Sequence, residues 1–119
     1  MPERILLVED DLRSRKNLAS FLRTEGYEVN EASDGKQAVE LLQKDEVDVV
    51  LADVVMPGLN GLQVLQHVQS VTPEIPVFLM SGHFRSAQHI LKEGAADFIA
   101  KPLDLNELLS KLKLILKER

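Results

Sequence analysis

The sequence predicts a small doubly wound α/β domain, a five-stranded parallel sheet with helices on both faces. Short apolar runs of strand length alternate with amphipathic stretches of helical period. Five strands alternating with five helices imply right-handed crossovers and hence a parallel sheet. The chain has 119 residues, 45% hydrophobic and 28% charged, which suits one domain over residues 1–119 with its own core and leaves no room for a second.

The buried strands are read at residues 5–8, 47–52, 77–80 and 98–100, where β-branched residues and Leu run together. A more polar run at 27–31 suits an edge strand. Leu12, Leu18, Phe21 and Leu22 share one face of a first helix, with Gly26 as its stop. Asp34 or Ser33 caps a second helix that carries Ala38, Leu41 and Leu42. Leu62, Val64, Leu65 and Val68 mark a third, which ends before Pro73 and Pro76. Ile90 and Leu91 lie in a fourth that closes at Gly94. The fifth opens on Asp104 through Glu107, the residue types of a capping box, and carries Leu105, Leu108, Leu109, Leu112, Ile115 and Leu116 in helical rhythm.

Composition excludes several functions. Fourteen Lys and Arg against nineteen Asp and Glu give a net charge of −5, which disfavours a surface that grips nucleic acid or anionic lipid. Four Phe, one Tyr and no Trp provide little platform for stacking bases. Without cysteine there is no disulfide scaffold, thiolate catalysis or cysteine-ligated zinc. No apolar run approaches the ~18 residues of a membrane helix. The opening residues turn acidic at Glu9, unlike a secretory signal, so the expectation is a soluble cytoplasmic protein. His67, His83 and His89 lack metal-ligand spacing and read as surface residues.

In an open parallel sheet, chemistry sits beyond the carboxyl ends of the strands. Those ends are Glu9-Asp10-Asp11, Asp53, Ser81 and Lys101-Pro102. Clustered carboxylates repel and call for a cation, and hard oxygen ligands suit Mg²⁺. Asp10 and Asp53 are the best direct ligands, with Glu9 assisting. Asp53 can also act as a nucleophile towards phosphorus. Ser81, before Gly82, can hydrogen-bond a phosphoryl oxygen, and Lys101 can offset the carboxylates and bind phosphate as a point charge. Lys101-Pro102 is a candidate cis peptide. Taken one at a time, these residues also fit a helix-capping charge run, a turn before Pro57-Gly58, a Ser-Gly turn and a surface lysine.

Together, from Ile5 to Leu116, they resemble the receiver domain of two-component response regulators. The motifs are Glu9-Asp10-Asp11, Asp53 with Met56-Pro57 and Gly61, Ser81, and Lys101-Pro102. The resemblance implies a flavodoxin-like, CheY-like sheet of strand order 2-1-3-4-5. It implies that Asp53 accepts a phosphoryl group from a phosphohistidine of a sensor histidine kinase or phosphotransfer protein. Mg²⁺, or Mn²⁺ in its place, would be bound by Glu9, Asp10, Asp53 and the carbonyl of Val55. Ser81, Lys101 and the switch aromatic Phe98 complete the set. The switch would act on the face of the fourth helix, fifth strand and fifth helix. An output domain or downstream protein, or a second copy in a homodimer, would read that face.

Departures accompany the resemblance. The stretch from Ser81 to Lys101 is shorter than usual in the family, which touches the output face. Val55 offers no polar group to orient a hydrolytic water, and His83 is the alternative. Val55 also stands where an Asp-dependent phosphohydrolase needs a second Asp, and the acidic first turn lacks a phosphate loop for a nucleotide. The alternative that survives is a phosphorylation-independent binding module.

Overall fold

A computed structural model describes residues 2–56, 58–82 and 87–117. Among them the chain runs β1 (Arg4–Val8), α1 (Leu12–Thr24), β2 (Glu28–Ala32), α2 (Gly35–Lys44), β3 (Val49–Asp53), α3 (Gly61–Val71), β4 (Val77–Ser81), α4 (Ala87–Lys92), β5 (Asp97–Ala100) and α5 (Leu105–Lys117). The strands form one parallel sheet in the order β2-β1-β3-β4-β5.

Burial follows strand position. β3 and β4 are buried at every residue, as central strands covered on both faces must be. The edge strand β2 alternates exposed and buried positions, and β5 is largely half-buried. The period of two splits the core into two layers. Ile5, Leu7, Val49, Leu51, Phe78, Met80 and Ile99 pack against Leu18, Ala19 and Leu22 of α1 and Leu108, Leu112 and Leu116 of α5. On the other face Leu6, Val8, Val50, Ala52, Val77 and Leu79 meet Ala38 of α2, Val64, Leu65 and Val68 of α3 and Ile90 of α4. Burying one such Leu removes enough apolar surface to contribute about 2 kcal/mol.

Side-chain caps satisfy free amides at the helix starts. The Asp11 carboxylate accepts from Ser14 N at 2.8 Å, that of Asp34 from Gln37 N at 2.8 Å and that of Asp104 from Glu107 N at 3.1 Å. Asn60 and Gln63 form a reciprocal capping box on α3. After α1, Gly26 takes φ +99°, a left-handed conformation that glycine adopts without a Cβ clash.

Several sequence readings need correction. The strands begin or end one or two residues away from the apolar runs: ladder pairing takes in the polar end residues Asp53, Ser81 and Asp97, while β3 starts only at Val49, where pairing with Ile5 begins. Leu12 is 60% exposed and Leu105 is also exposed, so neither belongs to the buried face of its helix. Leu12 and Leu105 are the first residues of their helices, a turn before the first buried positions of the stripe in α5 and further still in α1. Asp34, not Ser33, is the cap of α2. In the short stretch after Ser81, α4 has six residues; His83 and the terminal Glu118 and Arg119 lie outside the described residues.

Candidate functional site

Period-two alternation brings the site together. Glu9 continues the side of β1 that carries Leu7, Asp53 the side of β3 that carries Leu51, and Lys101 the side of β5 that carries Ile99. All three prolong the α1/α5 face at the carboxyl ends of the strands, Asp53 as the last residue of β3 and Glu9 and Lys101 just beyond β1 and β5. The Lys101 Nζ lies 2.6 Å from Asp53 Oδ2 and 2.9 Å from Glu9 Oε1, donating to both. Glu9 and Asp53 are buried polar residues, with side chains 5% and 10% exposed. Asp10, exposed on the rim, brings a carboxylate oxygen within 4.8 Å of ligand atoms of the other two acids. The run Glu9-Asp10-Asp11 thus divides by role: Asp11 caps α1, while Glu9 and Asp10 face the site.

Electrostatics follow from this packing. Burial pushes the Glu9 carboxyl above its usual range, against the hydrogen bond from Lys101, and the Asp53 charge pushes the same way. Burial alone would lower the Lys101 ammonium, yet its hydrogen bonds to Asp53 and Glu9 hold it above the ordinary lysine value. One cation therefore serves two buried carboxylates, with a third carboxylate beside them. Three hard oxygen donors within 4.8 Å of one another fit a divalent cation such as Mg²⁺.

The backbone around Asp53 is tightly built. Val54 N donates to Met80 O at 2.9 Å, and Val55 N donates to Asp53 Oδ1 at 3.2 Å. Gly61 N donates back to Val54 O at 3.2 Å, closing the loop beneath Asp53. A Cβ on Gly61 would stand 2.4 Å from the Asp53 carbonyl oxygen, and one on Gly35 would stand 2.3 Å from that of Leu59. Gly61→Ala is expected to lose about 2 kcal/mol by overpacking against main chain. Urea unfolding measures it, and an unchanged midpoint would refute the clash.

Ser81 is buried at the end of β4 and pairs in register with Ala100, just before Lys101. Leu79 pairs with Phe98, so alternation sets Ser81 and Phe98 on one side of neighbouring strands. Phe98 is half-buried against the α2/α3/α4 layer. Lys101-Pro102 is a cis peptide, as its position in a strand-to-helix turn suggested. Val55 is 62% exposed beside Asp53. The sequence reading missed Arg15, whose Nη1 donates to Glu9 O at 2.9 Å. An arginine within an amphipathic helix gives no signal of that contact.

A family model described as the response regulator receiver domain matches residues 5–113. Response regulator MprA of Mycolicibacterium vanbaalenii is 36% identical over 119 aligned residues, covering 98% of this chain and 52% of that protein. The chain thus spans about half the length of the curated relatives it matches, 52% in that case. Among solved structures, a CheY-like receiver domain protein from Methanospirillum hungatei superposes with a TM-score of 0.92 at 27% identity, over 99% of this chain and 96% of that one. Response regulator protein TrrA from Thermotoga maritima, solved in complex with Mg²⁺ and BeF, superposes with a TM-score of 0.88 at 27% identity, over 95% of this chain and 98% of its own.

Proposed function

The chain belongs to the response regulator receiver family, and from that premise we propose that residues 1–119 form a single receiver domain whose phosphoacceptor is Asp53. The family is a signalling phosphoacceptor rather than a classical enzyme. The donor is the phosphohistidine of a sensor histidine kinase or of a phosphotransfer protein. The observation that carries this reading is one lysine bridging two buried carboxylates, with a third carboxylate on the same rim.

In the transfer an Asp53 carboxylate oxygen attacks phosphorus and a P–O bond forms. The P–N bond breaks, its electron pair leaves with the imidazole nitrogen, and that nitrogen takes up a proton. Glu9, Asp10, Asp53 and the Val55 carbonyl are the residues that would hold Mg²⁺, with Mn²⁺ a substitute. Bound there, the cation neutralises charge on the phosphoryl oxygens. The solution of TrrA with Mg²⁺ and BeF supports this choice of metal.

Lys101 then exchanges its contact with the free carboxylate for one with a phosphoryl oxygen, since the acyl phosphate adds about 1.5 to 2 negative charges near neutrality. The Ser81 hydroxyl donates to a second oxygen. Its movement opens space on the side where Phe98 packs, and Phe98 turns inward. The change biases a two-state equilibrium of the face formed by α4, β5 and α5. An output domain, a downstream protein or a second copy of the chain reads that face. No described helix is long and apolar enough to cross a membrane, and a cytoplasmic setting, where the kinase domain resides, belongs to the proposal.

Intact mass after incubation with a small-molecule acyl phosphate tests the reading. One phosphoryl group is gained with Mg²⁺ and none with chelator. A folded chain that gains nothing with Mg²⁺ would instead favour a phosphorylation-independent binding module. Val55→Asn is expected to speed loss of the phosphoryl group several-fold, because an amide at this exposed position can orient the attacking water. Following phosphorylated mass over time reads this out, and an unchanged lifetime would count against it.

A further inference from the structure

We propose that Arg15 is the positioning residue of the metal site: its guanidinium pins the peptide between Glu9 and Asp10, and Glu31 in turn pins Arg15. The inference rests on the receiver reading of that site. Glu9 and Asp53 are held by Lys101, but the exposed carboxylate of Asp10 has no hydrogen bond among the described residues. The fold therefore acts on it only through the backbone that carries it, which sets the origin and direction of its Cα–Cβ bond.

That backbone lies just past the end of the ladder. Register pairing of β1 with β2 stops at Val8 and Ala32, and Glu9 N still donates to Ala32 O at 3.0 Å. The Glu9 carbonyl, one bond from the Asp10 amide, accepts instead from Arg15 Nη1 at 2.9 Å. Arg15 is itself fixed, with a side chain only 12% exposed and its Nε 3.2 Å from Glu31 Oε1. Lys16 and Arg23 also pair with Glu31. Burial alone would raise the Glu31 carboxyl, and hydrogen bonds from Lys16, Arg23 and Arg15 bring it below its usual value instead. The anchor thus stays charged, and the planar fork of arginine suits a simultaneous grip on a carboxylate and a carbonyl.

Charge and position predict opposite signs, which makes the proposal testable. As a mere positive charge near the site, Arg15 would repel a divalent cation, and removing it would tighten binding. As a positioning residue, its removal loosens Asp10 and weakens binding. Mg²⁺ titration calorimetry on the unphosphorylated chain reads the sign directly. Arg15→Ala is expected to raise the Mg²⁺ dissociation constant about tenfold, the lower end of what loss of a supporting contact costs a metal site. Arg15→Lys keeps the charge but not the fork and is expected to stay weak. Glu31→Gln, which leaves Arg15 in place but loosens it, is expected to weaken binding by a smaller factor and serves if Arg15→Ala folds poorly.

Arg23→Ala is the control, since Arg23 holds Glu31 but has no contact with the Glu9 carbonyl among the described hydrogen bonds. It is expected to leave the constant near the wild-type value. Wild-type or tighter Mg²⁺ binding by Arg15→Ala overturns the proposal, and so does an equal loss in Arg23→Ala. Failure of the receiver reading would appear separately, as a folded wild-type chain that binds no Mg²⁺, and would take this proposal with it.

Discussion

Asp53→Asn is expected to abolish phosphoryl uptake from a small-molecule acyl phosphate while leaving the fold intact. Asparagine matches the shape of aspartate, so the end of β3 and its register with Met80 should persist. What disappears is the anionic oxygen that attacks phosphorus, together with one carboxylate of the cation site. The amide also cannot pair with the Lys101 ammonium as the carboxylate does at 2.6 Å, which leaves that ammonium to Glu9. Intact mass with Mg²⁺ reads the loss, and circular dichroism checks the fold. Full uptake by the variant would place the phosphoryl group on another side chain. Digestion and mass mapping would then identify it, with Asp10 and Glu9 the nearest acids, and the assignment of Asp53 would fall.

Much of this candidate site is legible in the sequence, because its residues stand where apolar runs stop. Asp53 follows Val49 through Ala52, and Lys101 follows Phe98 through Ala100; in a doubly wound sheet such places converge on one rim. The role of Lys101 in offsetting the carboxylates was readable for the same reason. Which acids the lysine touches was not. That choice depends on register and on the side to which each strand turns, and a hydrophobic run reports neither at its last residue. The division of labour within Glu9-Asp10-Asp11 was hidden too, since three adjacent carboxylates are alike until a helix start claims one as its cap.

Helix faces show the complementary limit. The rhythm of Leu108, Leu112 and Leu116 marked a buried stripe, and all three are buried. The same rhythm extended to Leu105 and Leu12 overreached, because periodicity alone does not mark where burial begins along a helix. Arg15 was silent for a different reason. Its partners are Glu9 O, just past β1, and Glu31 on β2, and the first is a backbone atom that no sequence pattern marks.

Lys101→Met is expected to cost stability through lost charge rather than through packing. Methionine keeps much of the length and apolar stem of lysine, so packing around the stem changes little. The ammonium shared by two buried carboxylates is what goes. At neutral pH and without metal, the variant is expected to lose about 2 kcal/mol, less than the ~3–5 kcal/mol of a fully buried pair. The reduction reflects a lysine side chain that is 31% exposed.

The loss should depend on pH, in a direction fixed by Glu9. Burial already holds its carboxyl above the usual value against the hydrogen bond from Lys101, and removing Lys101 raises it further. A carboxyl raised in the folded state favours folding when protonated. That stability is fully present below the unfolded value and is lost as pH rises through the folded one. The deficit of Lys101→Met relative to wild type should therefore shrink on acidification from neutrality towards the ordinary carboxylate range, as Glu9 takes a proton in place of the missing cation. Mg²⁺ at neutral pH should recover part of it by supplying the charge another way. Urea unfolding of both proteins in chelator, at neutral and mildly acidic pH, measures the deficit. A deficit that stays constant with pH would mean that Glu9 does not carry the strain, and that the loss comes from packing around the lysine stem.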